Sequence, residues 1–132
     1  MERKVHYIAS SYKDLMKFPE GARSEAVFAL DAAREGGRAT CAIPMHGFGS
    51  AKILEVVIPE DGDAYRVVYT IKFRLAVYLL HAFQKKSKRG SKTPYQDVAL
   101  VKSRLRLAEQ HYREIYGISG SENEYTKKRE ER

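Results

Sequence analysis

Eight lysine and arginine side chains lie between residues 64 and 96, a stretch that contains no aspartate or glutamate. The whole chain carries 24 basic and 17 acidic residues, a net charge of +7. Without these eight the balance is 16 against 17, so the entire positive excess lies in one quarter of the chain. Such clustering predicts a surface that binds phosphate groups, with nucleic acid as the expected partner. The eight cations are Arg66, Lys72, Arg74, Lys85, Lys86, Lys88, Arg89 and Lys92.

Three of these cations are candidates for direct contact with a phosphate. Arg66 interrupts an otherwise apolar run, DAYRVVYTI, where a guanidinium can form two parallel hydrogen bonds to a phosphate. An ion pair with Glu55 on the adjacent strand is the equally weighted alternative. Lys85 and Lys86 end a predicted strand and point to opposite faces, so one of them faces any groove there. Their alternative role is to protect the sheet edge with charge.

His81 is the candidate for proton transfer, because histidine titrates near neutral pH. The alternative, favoured on sequence alone, is a half-buried strand histidine whose ring nitrogens already have hydrogen-bond partners. Regular alternation along the strand places His81 on one face with Leu79, Phe83 and Lys85, and places Leu80 on the other. The reactive side chains are then expected to converge at one end of the sheet: Arg66, His81, Lys85 and Lys86.

Tyrosines also accompany the basic stretch, at Tyr65, Tyr69, Tyr78 and Tyr95. Their rings can stack on unpaired bases, although packing into the core is the favoured role. Cys41 and the four scattered histidines do not have the spacing of metal ligands. The G-F-G at 47–49 lacks the lysine and the helix start of a phosphate-binding loop. The sequence therefore predicts neither a metal site nor a cofactor.

The strands that must position these residues are indicated by apolar runs between turns. A short strand over 5–9 opens a single domain, which is expected to span residues 1–117. Three further strands have short connections and are expected to form an antiparallel meander, the first turn being the acidic PEDGD with Gly62 available for positive φ. Their expected bounds are 52–58, 65–71 and 76–85.

The helices are indicated by capping residues and by apolar spacing. A helix over 11–18 is expected to be capped by Ser11, and a second, alanine-faced helix runs from Pro19 to Gly36-Gly37, so the two form a hairpin. A third helix, capped by Thr93, ends at Gly117 and carries one apolar stripe. The stripe consists of Val98, Val101, Leu105, Ala108, Tyr112 and Ile115. The polar residues 118–132 are expected to form a disordered tail.

The element order is therefore β-α-α-β-β-β-α, an α+β fold in which a helical hairpin packs on one antiparallel sheet. The single cysteine excludes an internal disulfide and suits a reducing compartment. No apolar run is long enough to span a bilayer, and the N-terminal MERKVHYI lacks the apolar core of a secretion signal. These features predict a cytoplasmic protein without a membrane partner.

Several runs of the sequence resemble the phage-derived, HigB-like branch of the RelE/ParE toxin superfamily. They are DAYRVVYT, LHAFQKKSKRGSKTP and ALVKSRL, preceded by KDLMKFPE, the alanine-rich helix and the HGFG loop. The resemblance covers about residues 5–110, and its most specific element is F-x-K-K with K-T-P downstream. It implies a RelE-like fold and the toxin of a type II toxin–antitoxin pair, with a cognate antitoxin of the helix-turn-helix type as partner.

The RelE-like members of this superfamily cut mRNA on the ribosome without a metal, since the ribose 2′-hydroxyl attacks the adjacent phosphate. By motif position, the resemblance implies that Arg66 and Lys85 or Lys86 stabilise the phosphate charge. It implies His81 as the acid or base, and Tyr95 as a residue that orients a base or donates a proton. The remaining cations are expected to bind RNA: Lys72, Arg74, Lys88, Arg89 and Lys92.

The superfamily also contains ParE-like members, which inhibit DNA gyrase and need no nuclease centre. The alternative to an mRNA endoribonuclease is therefore a non-catalytic member that inhibits gyrase or binds only its antitoxin or nucleic acid. The cluster of eight cations favours RNA.

Overall fold

The computed structural model of the chain describes residues 2–49, 52–85 and 93–117. Along these residues the elements are β1 (Lys4–Tyr7), α1 (Ser11–Met16), α2 (Glu20–Arg34), β2 (Ile43–Pro44), β3 (Ile53–Glu60), β4 (Asp63–Thr70), β5 (Ala76–Lys85) and α3 (Tyr95–Tyr116). The predicted α+β class and the order of its main elements are confirmed, with the two-residue strand β2 as an addition. None of the described helices is long and apolar enough to span a membrane.

The described strands form one sheet in the order β1-β5-β4-β3-β2. The meander from β3 to β5 is antiparallel, as predicted, and Asp61 and Gly62 both adopt positive φ in the two-residue turn between β3 and β4. Positive φ at both central residues is the signature of a type I′ hairpin turn, which matches the twist of the strands. The sheet departs from the expected antiparallel pattern at one edge, where β1 runs parallel to β5.

Each face of the sheet is covered by different helices. Helices α1 and α2 pack on one face, where the buried alanines of α2 allow its backbone to lie close to the strands. Helix α3 covers part of the opposite face, where Val101, Ala108 and Tyr112 are buried against Tyr78 and Leu80 of β5. Residues that carry chemistry can therefore be assigned to the hairpin side or to the α3 side.

A β-bulge in β5 changes the face on which His81 lies. Val68 of β4 pairs with His81 and Tyr69 pairs with Leu79, so Leu80 is an extra residue without a cross-strand partner. Because a bulge interrupts the alternation of faces, Leu80, His81 and Phe83 all lie on the α3 side. The prediction that Leu80 and His81 point to opposite faces is wrong, since it assumed unbroken alternation.

Both predicted helix caps differ from the observed helix starts. Ser11 is the first residue of α1 and not its cap, and its buried hydroxyl donates to the carbonyl of Leu79 over 3.1 Å. Helix α3 begins at Tyr95 after Pro94, and the hydroxyl of Thr93 is directed elsewhere. The predicted stop at Gly117 is confirmed, since this glycine adopts a left-handed φ of 70° after the last helical residue. The proposed tail at 118–132 lies outside the described residues.

Candidate functional site

Glu55, Arg66 and Thr93 form a triangle of hydrogen bonds on the α3 side of the sheet. Nη1 of Arg66 lies 3.1 Å from Oε2 of Glu55 and 3.2 Å from Oγ1 of Thr93. The Thr93 hydroxyl donates to the same carboxylate oxygen over 2.6 Å. The ion pair joins β4 to β3, and Thr93 adds the backbone that leads into α3.

This ion pair is buried. The side chains of Arg66 and Glu55 are only 3% and 7% exposed. The alternative predicted for Arg66, an ion pair with Glu55, is therefore confirmed, and the pair is enclosed by the protein. Removing one partner of such a pair leaves an uncompensated charge in a low-dielectric environment, which costs about 3–5 kcal/mol. The arrangement therefore fixes Arg66 in place.

His81 is buried beside this triangle, with a partner for each ring nitrogen. Its Nε2 lies 2.8 Å from Oδ1 of Asp97, and Nη1 of Arg104 approaches its Nδ1 at 3.5 Å. The ring stacks on Phe83 with centroids 4.4 Å apart and an interplanar angle of 15°. His81 thus has the arrangement of the predicted alternative, an enclosed histidine with satisfied nitrogens.

Burial lowers the pKa of His81 below its ordinary value, and the nearby Arg104 cation lowers it further. The hydrogen bond and charge of Asp97 act in the opposite direction but do not offset burial. The imidazole is therefore neutral at pH 7. The donor on Arg104 makes Nδ1 the acceptor nitrogen, which assigns the ring proton to Nε2, where it is donated to Asp97.

Arg104 connects α3 to two other elements. Its Nη1 donates to the carbonyl of Leu80, the bulge residue, over 2.9 Å, and its Nη2 donates to the hydroxyl of Ser10 over 3.2 Å. Ser10 in turn donates to Asp14 of α1 over 2.8 Å. The guanidinium therefore donates to the backbone carbonyl of the bulge residue and approaches His81, which ties α3 to the bulged part of β5.

Lys85 and Tyr95 border the polar cluster and reach solvent. The cluster consists of Glu55, Arg66, His81, Thr93, Asp97 and Arg104. Lys85 ends β5 opposite Ala64, and alternation beyond the bulge places it on the α3 side with Phe83. Tyr95 begins α3 and is 86% exposed. Lys85 and Thr93 are the described residues on either side of the basic segment 86–92. The predicted site residues Lys86, Lys88, Arg89 and Lys92 lie outside the described residues.

Two of the predicted RNA-binding residues lie at the opposite end of the sheet. Lys72 and Arg74 precede β5, whereas Lys85 ends it, so the length of the strand, about 30 Å, separates them. Nζ of Lys72 forms an ion pair with Glu109 of α3 at 2.7 Å, and Arg74 is exposed. A single phosphate cannot touch both ends, so the basic stretch of sequence does not form one site.

The favoured packing role is confirmed for three of the four tyrosines. Tyr69 and Tyr78 are fully buried, and Tyr65 packs against Phe18 with centroids 4.9 Å apart. Burial raises the pKa of Tyr69 to about 12, which keeps its phenol neutral. Among these tyrosines, Tyr95 alone is in the exposed class, and its ring is accessible to a base or a phosphate.

The sequence alone did not indicate that Asp97 and Arg104 belong to the site. They lie seven residues apart, two helical turns, on the same side of α3 as the buried Val101 and Ala108. The available signal was their spacing, since Asp97 lies four residues before the apolar Val101 and Arg104 lies four residues before the apolar Ala108. The predicted apolar stripe did not include them and extended to Ile115, which is 59% exposed. Among the described residues no group of three or more His, Cys, Asp or Glu is placed to hold a metal ion.

The fold is that of the RelE toxins. The chain is similar in structure to a mutant of the E. coli toxin RelE in the free state, with a TM-score of 0.51 over 79% of this chain and 94% of that one. The two sequences are 15% identical over this match, so the similarity concerns the fold alone. No curated protein matches the chain in sequence.

Sequence comparison defines the family. The model of the family described as "Phage derived protein Gp49-like" matches residues 13–106, well over half of the chain. The chain belongs to this family, which is a RelE-like toxin family within the RelE/ParE superfamily. The resemblance drawn from the sequence is confirmed.

Proposed function

We propose that the protein is the toxin of a type II toxin–antitoxin pair and that it cleaves mRNA on the ribosome without a metal ion. Membership of a RelE-like toxin family supports the toxin class. The expected protein partner is a cognate antitoxin, of the helix-turn-helix type implied by the sequence resemblance. The substrate class is single-stranded mRNA held by the ribosome.

The observation that carries this proposal is the polar cluster on the α3 side, bordered by Lys85 and the exposed Tyr95. The reaction begins when the ribose 2′-oxygen attacks the adjacent phosphorus, loses its proton to a base and forms a new P–O bond. The bond to the 5′-oxygen then breaks, that oxygen takes up a proton, and a cyclic phosphate remains. Cations beside the phosphorane and a proton donor near the leaving oxygen are what this chemistry requires.

We assign the direct roles to Lys85 and Tyr95, which border the polar cluster, and to Lys86, which follows Lys85 in the sequence. Lys85 and Lys86 stabilise the charge on the phosphorane, and Tyr95 donates a proton or orients the base. Arg66 and His81 act without direct contact with the phosphate, because buried pairs with Glu55 and Asp97 hold their side chains in the sheet. Lys88, Arg89 and Lys92, which lie outside the described residues, are assigned to the RNA backbone. Lys72 and Arg74 are assigned to salt-dependent contacts with more distant phosphates.

Induced expression in a bacterial host, followed by mapping of transcript 5′ ends, tests this function. We expect cuts inside translated codons that disappear when translation initiation is blocked. Growth arrest with intact transcripts would instead favour gyrase inhibition, and normal growth with intact transcripts would favour a non-catalytic binding protein.

The matched pair Lys85→Ala and Lys17→Ala locates the site. Both changes remove one lysine, but Lys17 is exposed on the hairpin side of the sheet. Loss of one charge-stabilising group lowers catalytic rates about 10²–10³-fold, so Lys85→Ala should abolish growth arrest while Lys17→Ala retains it. Full toxicity of a folded Lys85→Ala protein would contradict the assigned site.

A further inference from the structure

Thr93 links the buried ion pair to the start of α3. Its hydroxyl donates to Glu55 over 2.6 Å and accepts from Arg66 over 3.2 Å, although it lies 38 and 27 residues away from them in sequence. A carboxylate acceptor makes the first of these bonds short and strong. Because strands β3 and β4 hold both partners, the position of Thr93 is set by the sheet.

The backbone between Thr93 and Tyr95 is stiff. Pro94 has a φ of −57°, which its ring fixes, and a residue that precedes proline is confined to extended conformations. The carbonyl of Pro94 accepts from the amides of Asp97 and Val98, so the first turn of α3 continues directly from it. Displacement of Thr93 is therefore transmitted to Tyr95.

A second anchor lies one turn further along the helix, where Asp97 accepts the ring proton of His81. Tyr95 is thus held between a contact to β3 and β4 and a contact to β5, yet its own side chain is 86% exposed. The backbone of Tyr95 is therefore in a fixed position before any ligand arrives, and only its side-chain rotamer is left to be ordered, which lowers the entropy cost of a reactive geometry.

We infer that Thr93 is a positioning residue, whose hydroxyl bond to Glu55 fixes where Tyr95 stands relative to the Lys85 end of β5. This inference deepens the proposed function and rests on it. Thr93 does not touch the reacting atoms, so its removal acts on the rate of cleavage and leaves ribosome binding in place.

Three variants separate this role from a general contribution to folding. Thr93→Val keeps the shape of the side chain and removes the hydroxyl, whereas Thr93→Ser keeps the hydroxyl. Thr40→Val makes the same chemical change at an exposed turn and serves as the control. Single-turnover cleavage of ribosome-bound mRNA, with each full-length protein in excess, gives the plateau rate and the half-saturating concentration.

We expect Thr93→Val to lower the plateau rate about 10–100-fold with an unchanged half-saturating concentration, the size of effect that a misplacement of about 1 Å produces. Thr93→Ser should restore most of the rate, and Thr40→Val should match the wild type. In hydrogen exchange, the amides of Asp97 and Val98 should open about tenfold more readily in Thr93→Val and not in Thr93→Ser.

A folded Thr93→Val protein with the wild-type rate would overturn the inference, as would a rate loss that merely follows the unfolded fraction. A wild-type protein that leaves ribosome-bound mRNA intact would overturn the proposed function and the catalytic half of the inference with it. The exchange measurement decides the positioning half in either case, since unchanged protection in Thr93→Val would overturn it without reference to cleavage.

Discussion

The two ends of helix α3 are held to the sheet by different chemistry. The N-terminal end is attached by charged and polar contacts: Thr93 to Glu55 and Arg66, and Asp97 to His81. The C-terminal end is attached by aromatic rings, in a cluster formed by His6, Phe73, Tyr78, His111, Tyr112 and Tyr116.

The two kinds of attachment differ in what they contribute to the fold. Aromatic rings bury a large apolar area, so the C-terminal end contributes mainly free energy of folding, and its hydrogen bonds, such as that between Tyr78 and His111 at 2.7 Å, lie among the rings. Buried charge pairs contribute less net free energy but impose fixed distances and angles. The polar end therefore places side chains, and it is the end next to Lys85 and Tyr95.

The largest loss of stability is expected from the aromatic end. Phe73 is fully buried, with its ring centroid 4.5 Å from that of Tyr112. Phe73→Ala should lower the free energy of unfolding by about 3–5 kcal/mol, measured by urea denaturation. Phe28→Ala, at a ring that is 70% exposed, is the matched control and should change it by less than about 0.5 kcal/mol. Equal effects of the two changes would contradict the packing described for this end.

A somewhat smaller loss is expected at the polar end. Glu55→Met leaves the Arg66 cation buried with the Thr93 hydroxyl, and should lower the free energy of unfolding by about 3 kcal/mol. The double variant Glu55→Met/Arg66→Met removes both charges and should recover most of that loss. Additive losses in this double-mutant cycle would show that the two side chains do not stabilise each other.

Stability should also depend on pH through one buried histidine at each end of α3. Burial, His111 and Lys4 lower the pKa of His6 below its ordinary value of 6.5, and burial lowers that of His81. The folded state then binds fewer protons than the unfolded state, so stability is complete above pH 6.5 and falls as the pH drops towards the lowered values. Urea denaturation at pH 7.5 and 5.5 should show this fall, and a smaller one for His6→Asn.

The control for this pH comparison is an equal denaturant slope at both pH values, which establishes that the same surface is exposed on unfolding. If His6→Asn retained the full pH dependence, His6 would not be a group whose protonation destabilises the folded state.

The smallest effect is expected at the ion pair between Lys72 and Glu109, whose side chains are 17% and 30% exposed. Lys72→Met should change the free energy of unfolding by about 0.2–1 kcal/mol, because solvent screens the pair. Cleavage should fall far less than in Lys85→Ala, because Lys72 is assigned only to a more distant phosphate. A cleavage loss as large as that of Lys85→Ala would mean that both ends of β5 serve the same phosphate.

Local sequence signals predicted most of the fold. Gly62 and Gly117 mark backbone positions that need positive φ, and both were identified from their place after an acidic turn and an apolar helix. The alanine spacing of α2 predicted its buried face, and the meander followed from short connections between apolar runs. The pairing of Arg66 with Glu55 was one of two alternatives that adjacency of strands allowed.

The site was predicted less completely, because its geometry depends on a single extra residue. Without the bulge at Leu80, the alternation of β5 would place His81 on the hairpin side, away from Asp97 and Arg104. Thr93 shows the same limit. The sequence favours it as a helix cap, whereas its hydroxyl donates to the buried carboxylate of Glu55 on β3.

The sequence by itself determined the class of fold, the strands that carry the cations and the helix that follows them, because periodicity and turn residues act over a few neighbours. Only the tertiary structure decided that the cations divide between two ends of the sheet, that Arg66 and His81 are enclosed and that Tyr95 is exposed. These outcomes depend on contacts between residues tens of positions apart, where burial and hydrogen-bond partners are set by packing and not by local propensity.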